Sequence, residues 1–168
     1  LEVDGMANML DYQIKTVEKV LNEFRASKIQ ISATDEEYEK IWSARRASFA
    51  SCARLKPNVA TDDLVVPREN LSELVKGVRQ ICDKYDLGVC LIGHVGDGSV
   101  HPQIPIDYDD IDEVRRLKSA KSEMYDLCTR LNGVISGEHG IGILKKDYIS
   151  LCTDSNSMKL MQVLKHTL

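Results

Sequence analysis

The sequence predicts an α+β fold in which a layer of helices lies on a mainly antiparallel sheet, as in the ferredoxin-like arrangement. Helical and strand-like patterns alternate along the 168 residues, and Asp97-Gly98 between two strand-like runs predicts a hairpin. A chain of this length corresponds to about one domain, so residues 1–168 are expected to form a single domain.

The elements follow from the spacing of apolar residues. Thr34 or Asp35 can cap the second predicted helix, and Pro57 ends it. Two short helical segments are expected to close the chain. Apolar residues at helical spacing predict helices over about 10–24, 35–55, 71–82 and 110–131. Short apolar or alternating runs predict strands at 1–5, 29–33, 64–66, 88–92, 100–106 and 134–135.

The composition argues against several classes of protein. The net charge is -4, so the chain lacks the basic balance typical of a nucleic-acid module. No apolar run approaches the roughly 20 residues of a membrane-spanning helix. The five cysteines are odd in number and form no C-x-x-C pair, so we expect neither disulfides nor a cysteine zinc site. This cysteine usage favours a reducing, cytoplasmic location.

Three of the four histidines lie in two glycine-rich segments. In the first, GHVGDGSVH at 93–101, a two-residue turn at Asp97-Gly98 would place His94 directly opposite His101. Opposed residues have Cβ atoms about 4.5–5.5 Å apart, so two imidazoles there could grip one metal ion. The alternative is two histidines at a wet strand end that bond to water or backbone.

The second glycine-rich segment is SGEHGIG at 136–142. Its Glu138 and His139 combine a carboxylate that can bind a metal with an imidazole that can transfer a proton. The alternative is a polar loop at a helix N-terminus, where Glu138 complements the helix dipole.

Arg45 shares a predicted helix face with Trp42 and Phe49. An arginine on an apolar stripe can extend its head to solvent or pair with an internal carboxylate. It can also bind a fixed anion, and a substrate carboxylate held by two hydrogen bonds is one such anion.

Four segments between positions 41 and 145 carry a resemblance to a known family. They are IWSARRASFA (41–50), TDDLVVPR (61–68), GHVGDGSVHP (93–102) and GVISGEHGIGILK (133–145). In this order they resemble the C-terminal domain of FAD-linked oxidases of the vanillyl-alcohol oxidase type. Within this family, the chain is similar to the FAD-binding subunits of glycolate oxidases and to D-lactate dehydrogenases.

The resemblance implies a ferredoxin-like cap over the flavin of an enzyme that converts a 2-hydroxyacid to a 2-oxoacid. It implies that His94, His101 and Glu138 bind a divalent metal, which zinc, iron or manganese would satisfy. It further implies that His139 takes the substrate hydroxyl proton and that Arg45 binds the substrate carboxylate. The implied partners are an FAD-binding half of the same protein and other oxidase subunits, which could attach the protein to the periphery of the inner membrane.

Two features depart from the family's pattern. Ser99 stands where asparagine is usual, and neither the FAD-binding half nor the closing N-P-G-K segment is in this sequence. We therefore expect a fragment that binds no FAD, shows no dehydrogenase activity alone and self-associates through an exposed apolar face.

The residues leave two other functions open. One is a metal-binding module without redox chemistry, and the other is a metal-dependent hydrolase built on the same two histidines and glutamate. The pair Glu138-His139 beside a basic substrate anchor favours an enzyme. A hydrolase would need no flavin partner, so activity of the isolated chain would separate these functions.

Overall fold

Backbone contacts divide the chain into two units, with the division between Arg46 and Ala47. The computed structural model describes residues 2–168. The first unit contains α1 (Ala7–Glu23) and α2 (Asp35–Arg46), and the second contains every described strand. The expectation that residues 1–168 form a single domain stays a prediction.

The two helices of the first unit follow from apolar periodicity and capping. Apolar side chains of both helices line one groove, among them Ile14, Leu21 and Trp42. The Oγ1 atom of Thr34 accepts a hydrogen bond from the Glu37 N–H at 3.2 Å, so Thr34 is a cap of α2. The predicted start of this helix is therefore confirmed.

The strands expected at 1–5 and 29–33 are not found among the described residues. Residues 2–5 and 29–33 lie in irregular backbone, and Leu1 lies outside the described residues. These two predictions are wrong because an alternating pattern makes a strand only where a neighbouring strand takes its backbone hydrogen bonds.

An antiparallel sheet forms the middle of the second unit. β1 and β2 pair with successive parts of one edge of β4, and β3 pairs with the opposite edge. Val134 adds a single bridge to Val65 at the outer edge of β2. The strands are β1 (Asn58–Thr61), β2 (Leu64–Val65), β3 (Cys90–His94) and β4 (Ser99–Ile106).

Two helices, α4 (Leu71–Lys84) and α5 (Ile111–Arg130), pack against each other and against the sheet. The order β1 and β2, α4, β3, β4, α5 and the Val134 bridge is the strand and helix order of ferredoxin-like domains. The predicted α+β class is therefore confirmed. The core contains buried apolar side chains of both layers, including Leu64, Leu74, Val78, Cys82, Ile104, Ile106, Leu117, Met124, Tyr125 and Cys128.

The remaining α-helices among residues 2–168 are α3 (Ser48–Cys52), α6 (Gly142–Lys145) and α7 (Ser155–Thr167). The single helix expected over 35–55 is therefore wrong, since α2 ends at Arg46 and α3 follows as a separate helix. Within residues 2–168, none of the helices has both the length and the apolar character needed to cross a membrane.

The hairpin of β3 and β4 differs from its expected register by two residues. His94 pairs with Ser99 and His101 pairs with Ile92, so the predicted direct pairing of His94 with His101 is wrong. The two-residue turn is replaced by a 3-10 turn at Val95–Asp97, followed by the next glycine in the left-handed conformation.

A contact with the end of β2 explains the longer turn. The carbonyl oxygen of Gly98 accepts a hydrogen bond from the Val66 N–H at 3.0 Å. Gly98 has φ +73°, and a Cβ at this position would lie 2.1 Å from the Val66 carbonyl oxygen. A register shift of two residues keeps each side chain on its original face of the sheet, so both histidines remain on one side.

A buried ion network joins the loop after β1 to α5 and α6. The Asp62 carboxylate, 2% exposed, lies 2.7 Å from Lys145 Nζ and 3.1 Å from Lys121 Nζ. The Tyr125 hydroxyl donates a hydrogen bond to it at 2.7 Å. Burial raises the pKa of Asp62, but the two ammonium groups and the hydrogen bonds lower it by more, so its pKa lies below the ordinary value.

Gly98→Ala is expected to lower the free energy of unfolding by about 2–4 kcal/mol, because positive φ strains an alanine and its Cβ would overlap the Val66 carbonyl. Urea denaturation followed by circular dichroism measures this change. Gly96→Ala is the matched control, since a Cβ there meets nothing within 4 Å. Equal stability of the two variants would contradict this account of the turn.

Asp62→Asn is expected to lower the free energy of unfolding by about 3–5 kcal/mol near neutral pH, because Lys145 stays buried without its counter-charge. Since the folded pKa of Asp62 is lowered, its contribution is complete above the ordinary aspartate pKa of about 3.9 and is lost as the pH falls towards the folded value. The difference between wild type and variant should therefore shrink in acid. Urea denaturation of both proteins across this pH range measures the difference in free energy of unfolding. A difference that stays constant with pH would contradict the stabilising role of the network.

Candidate functional site

Strand alternation places His94, Ser99 and His101 on the sheet face opposite α4 and α5. Val100 and Ile104 belong to the core, so the residues that alternate with them on β4 face the other side. His94 pairs with Ser99 and faces the same side of the sheet. His101 is two residues further along β4, diagonally across from His94. The His94 and His101 ring centroids are 5.2 Å apart. The two imidazoles therefore meet although their pairing differs from the expected one.

Glu138 joins these histidines from the loop that follows the Val134 bridge. Its Oε1 atom lies 3.2 Å from His101 Nε2 and 3.4 Å from His94 Nε2. One potential ligand atom from each of the three residues lies within 4.8 Å of the others. The predicted convergence of His94, His101 and Glu138 is confirmed, and their binding of a metal remains a proposal.

His139 lies beside the cluster formed by His94, His101 and Glu138. Its ring stacks on the His101 ring with centroids 4.7 Å apart and an interplanar angle of 12°. Its Nε2 atom is 4.0 Å from Glu138 Oε1. This position holds the ring against the buried His101 while leaving His139 partly open to solvent.

Asp63, which the sequence did not single out, holds the loop that carries Glu138 and His139. Its Oδ2 atom accepts hydrogen bonds from the N–H groups of Gly137, Glu138 and His139 at 2.7, 2.7 and 2.9 Å. Burial raises the pKa of Asp63, but these N–H groups lower it by more, so its pKa lies below the ordinary value. The only sequence clue is the acidic pair at the start of the DDLVVP segment.

Close packing at Gly137 and a buried lysine also fix this loop. A Cβ on Gly137 would lie 2.6 Å from Val65 Cγ2 and 3.3 Å from Asp63 Oδ1, so a larger residue would displace Val65 or the loop. Lys145 donates hydrogen bonds to the carbonyl oxygens of Ile135 at 2.6 Å and Asp63 at 3.3 Å. Sequence reasoning missed Lys145 as well, because a lysine at the end of an apolar run gives no sign of burial.

The surroundings of His101 favour its neutral form. Burial lowers the pKa of His101, the carboxylates of Asp63 and Glu138 oppose this, and the two neighbouring histidines add to it. The net pKa lies below the ordinary value. A neutral imidazole is the form that binds a metal.

The donor set fits a divalent metal. Two imidazole nitrogens and one carboxylate oxygen are ligands that zinc, iron and manganese accept. The side chains of His94 and Glu138 are 47% and 61% exposed, so an incoming ligand can reach the cluster. Three protein ligands leave a coordination position open, as catalytic metal sites do.

Ser99 and Arg45 lie in different parts of the chain. The Ser99 hydroxyl lies 3.4 Å from His101 Nε2 and is buried, so it contacts the cluster itself. Arg45 is in the last turn of α2, in the first unit. Its binding of a substrate carboxylate stays a prediction.

Comparisons with known proteins identify the family of the chain. Residues 1–168 match the family described as FAD linked oxidases, C-terminal domain. The chain is 33% identical over 98% of its length to glycolate oxidase subunit GlcD of Bacillus subtilis, covering 35% of that protein. It is 29% identical over 93% of its length to the GlcD subunit of Escherichia coli K12, covering 31%. A probable mitochondrial D-lactate dehydrogenase of Danio rerio is 25% identical over the whole chain, which covers 34% of it.

The chain spans about a third of the length of these curated relatives. The family match includes the β3–β4 hairpin and the loop with Glu138 and His139. The chain therefore belongs to the family of FAD-linked oxidases, whose C-terminal domain it matches along its full length.

Proposed function

We propose that this chain is the substrate- and metal-binding domain of a flavin-dependent 2-hydroxyacid oxidoreductase of the glycolate or D-lactate type. The observation that carries the proposal is the convergence of His94, His101 and Glu138 beside His139 in a chain of the FAD-linked oxidase family. The names of the relatives, glycolate oxidase subunits and a D-lactate dehydrogenase, support the substrate class.

Oxidation of a 2-hydroxyacid to a 2-oxoacid removes the hydroxyl proton and a hydride from C2. His94, His101 and Glu138 would hold the metal. When bound, the metal supplies a Lewis acid that makes the substrate hydroxyl more acidic, and FAD supplies the hydride acceptor. FAD would be bound by the half of the protein that this chain does not include.

His139 accepts the hydroxyl proton at Nε2. This atom lies 4.0 Å from Glu138 Oε1, beside the proposed metal ligands. The side chain is 42% exposed, so a substrate can approach it. An imidazole can accept a proton at neutral pH, and its stacking on His101 keeps the ring in place.

Arg45 binds the substrate carboxylate through two parallel hydrogen bonds. The assignment is supported by the W-x-x-R segment at 42–45, on which the family resemblance partly rests. Holding the carboxylate fixes the orientation of the C2–H bond, which is the contribution that positioning makes to the rate.

Exposed apolar side chains support a covering partner near the site. Ile143 and Leu144, in α6 directly after the Glu138–His139 loop, are 83% and 78% exposed. The FAD-binding half would cover them in the complete protein. In the isolated chain the same side chains would favour self-association.

His101→Ala is expected to weaken Zn²⁺ binding by the chain more than about 100-fold, because it removes a buried ligand. Isothermal titration with Zn²⁺ measures the affinity. His166→Ala on α7 is the matched control and should bind as wild type, since His166 is outside the cluster. Equal losses in both variants, or no binding by wild type, would remove the metal from the proposal.

Arg45→Lys in the complete enzyme is expected to raise KM for D-lactate or glycolate about 10–100-fold, because an ammonium cannot reproduce the two hydrogen bonds of a guanidinium. Steady-state kinetics give KM and kcat. Arg46→Lys is the control, since Arg46 pairs with Glu39 at 2.6 Å and a lysine can keep that pair. An unchanged KM in Arg45→Lys would place Arg45 outside the substrate site.

A further inference from the structure

His101 lies between two carboxylates, one at each ring nitrogen. Nδ1 is 3.5 Å from Asp63 Oδ1, and Nε2 is 3.2 Å from Glu138 Oε1. A neutral imidazole carries one N–H, so one nitrogen donates and the other keeps the lone pair that can bind a metal. The tautomer of His101 therefore decides whether its Nε2 can serve the cluster.

The buried side of the ring favours the proton on Nδ1. Asp63 and His101 are 0% and 6% exposed. Asp63 Oδ1 and His101 Nδ1 are both buried without a hydrogen-bond partner among residues 2–168, although they lie 3.5 Å apart. A proton on Nδ1 would let a small movement join them in a hydrogen bond, which removes the cost of leaving two polar atoms unpaired in the interior.

The groups near His101 Nε2 compete less strongly for the ring proton. The Glu138 side chain is 61% exposed, so water screens its attraction for a proton on Nε2. The Ser99 hydroxyl, 3.4 Å from Nε2, can donate to this nitrogen or accept from it, so it fits either tautomer. The balance between the buried Asp63 and the exposed Glu138 therefore favours a proton on Nδ1.

We propose that Asp63 is a positioning residue that keeps the His101 proton on Nδ1 and so directs the Nε2 lone pair towards His94 and Glu138. Its other oxygen binds the loop that carries Glu138 and His139. Asp63 thus sets both the tautomer of His101 on β4 and the position of Glu138 in its loop. The inference rests on the proposed function for the metal, although the tautomer itself requires no metal.

Asp63→Asn separates the two roles, because an amide has one acceptor oxygen and one donor NH₂ group. The oxygen is expected to occupy the Oδ2 position, where an NH₂ would face the N–H groups of Gly137, Glu138 and His139. The NH₂ then faces His101 Nδ1, which must accept, so the ring proton moves to Nε2.

Nitrogen NMR of the metal-free chain with isotope-labelled histidine reports the tautomer directly, and the chain has four histidines to assign. Above the pH at which His101 titrates, we expect Nδ1–H in wild type and Nε2–H in Asp63→Asn. Asp110→Asn is the matched control, since Asp110 also accepts backbone N–H groups, from Asp112 and Glu113 at the start of α5. It should leave the His101 tautomer unchanged.

Titration with Zn²⁺ alone is the second measurement. Asp63→Asn should bind about 10–100-fold more weakly than wild type, and Asp110→Asn should bind equally well. Nε2–H in wild type overturns the inference even where the variant fails to fold, and so does Nδ1–H in Asp63→Asn. A chain that shows the expected tautomers but binds no Zn²⁺ supports the role of Asp63 and contradicts the metal in the proposed function.

Discussion

The arrangement of the candidate site depends on how one buried carboxylate is satisfied. Asp63 is inaccessible to water, so its charge must be balanced by donors from the protein. Three consecutive N–H groups of a loop more than seventy residues later supply them. The antiparallel bridge between Val65 and Val134, with hydrogen bonds of 3.0 and 2.8 Å, brings that loop within reach. The position of Glu138 and His139 is thus a consequence of burying Asp63.

The two faces of the sheet have different roles, because one belongs to the core and the other carries the candidate site. One face of β4 carries Val100 and Ile104 into the core under α4 and α5, and the other carries Ser99 and His101 towards the cluster. His101 therefore projects from a strand that is buried along its whole length. Side chains on such a strand are held more firmly than side chains on a loop, which suits a site where several ligand atoms must stay within a few ångströms.

The sequence could predict those elements whose pattern reports burial directly. Helices α1, α4 and α5 lie close to their expected bounds, because apolar periodicity is a local property. Strand β1 could not be predicted, since Asn58–Thr61 becomes a strand only through its pairing with β4. The hairpin register depends on a contact between Gly98 and Val66, which are far apart in sequence. The clustered histidines and glutamate could be predicted from their motifs, whereas Asp63 acts through backbone N–H groups and leaves no side-chain pattern.

The antiparallel pairing of β3 with β4 also limits how the length of this segment can change. Because neighbouring residues of a strand point to opposite faces, one residue inserted within β4 before His101 would turn that imidazole towards α4 and α5. Two inserted residues would return it to the face shared with His94. Because Gly98 packs closely against Val66, the turn cannot readily accommodate an inserted residue. The segment between the two histidines should therefore tolerate length changes by even numbers of residues far better than by odd numbers.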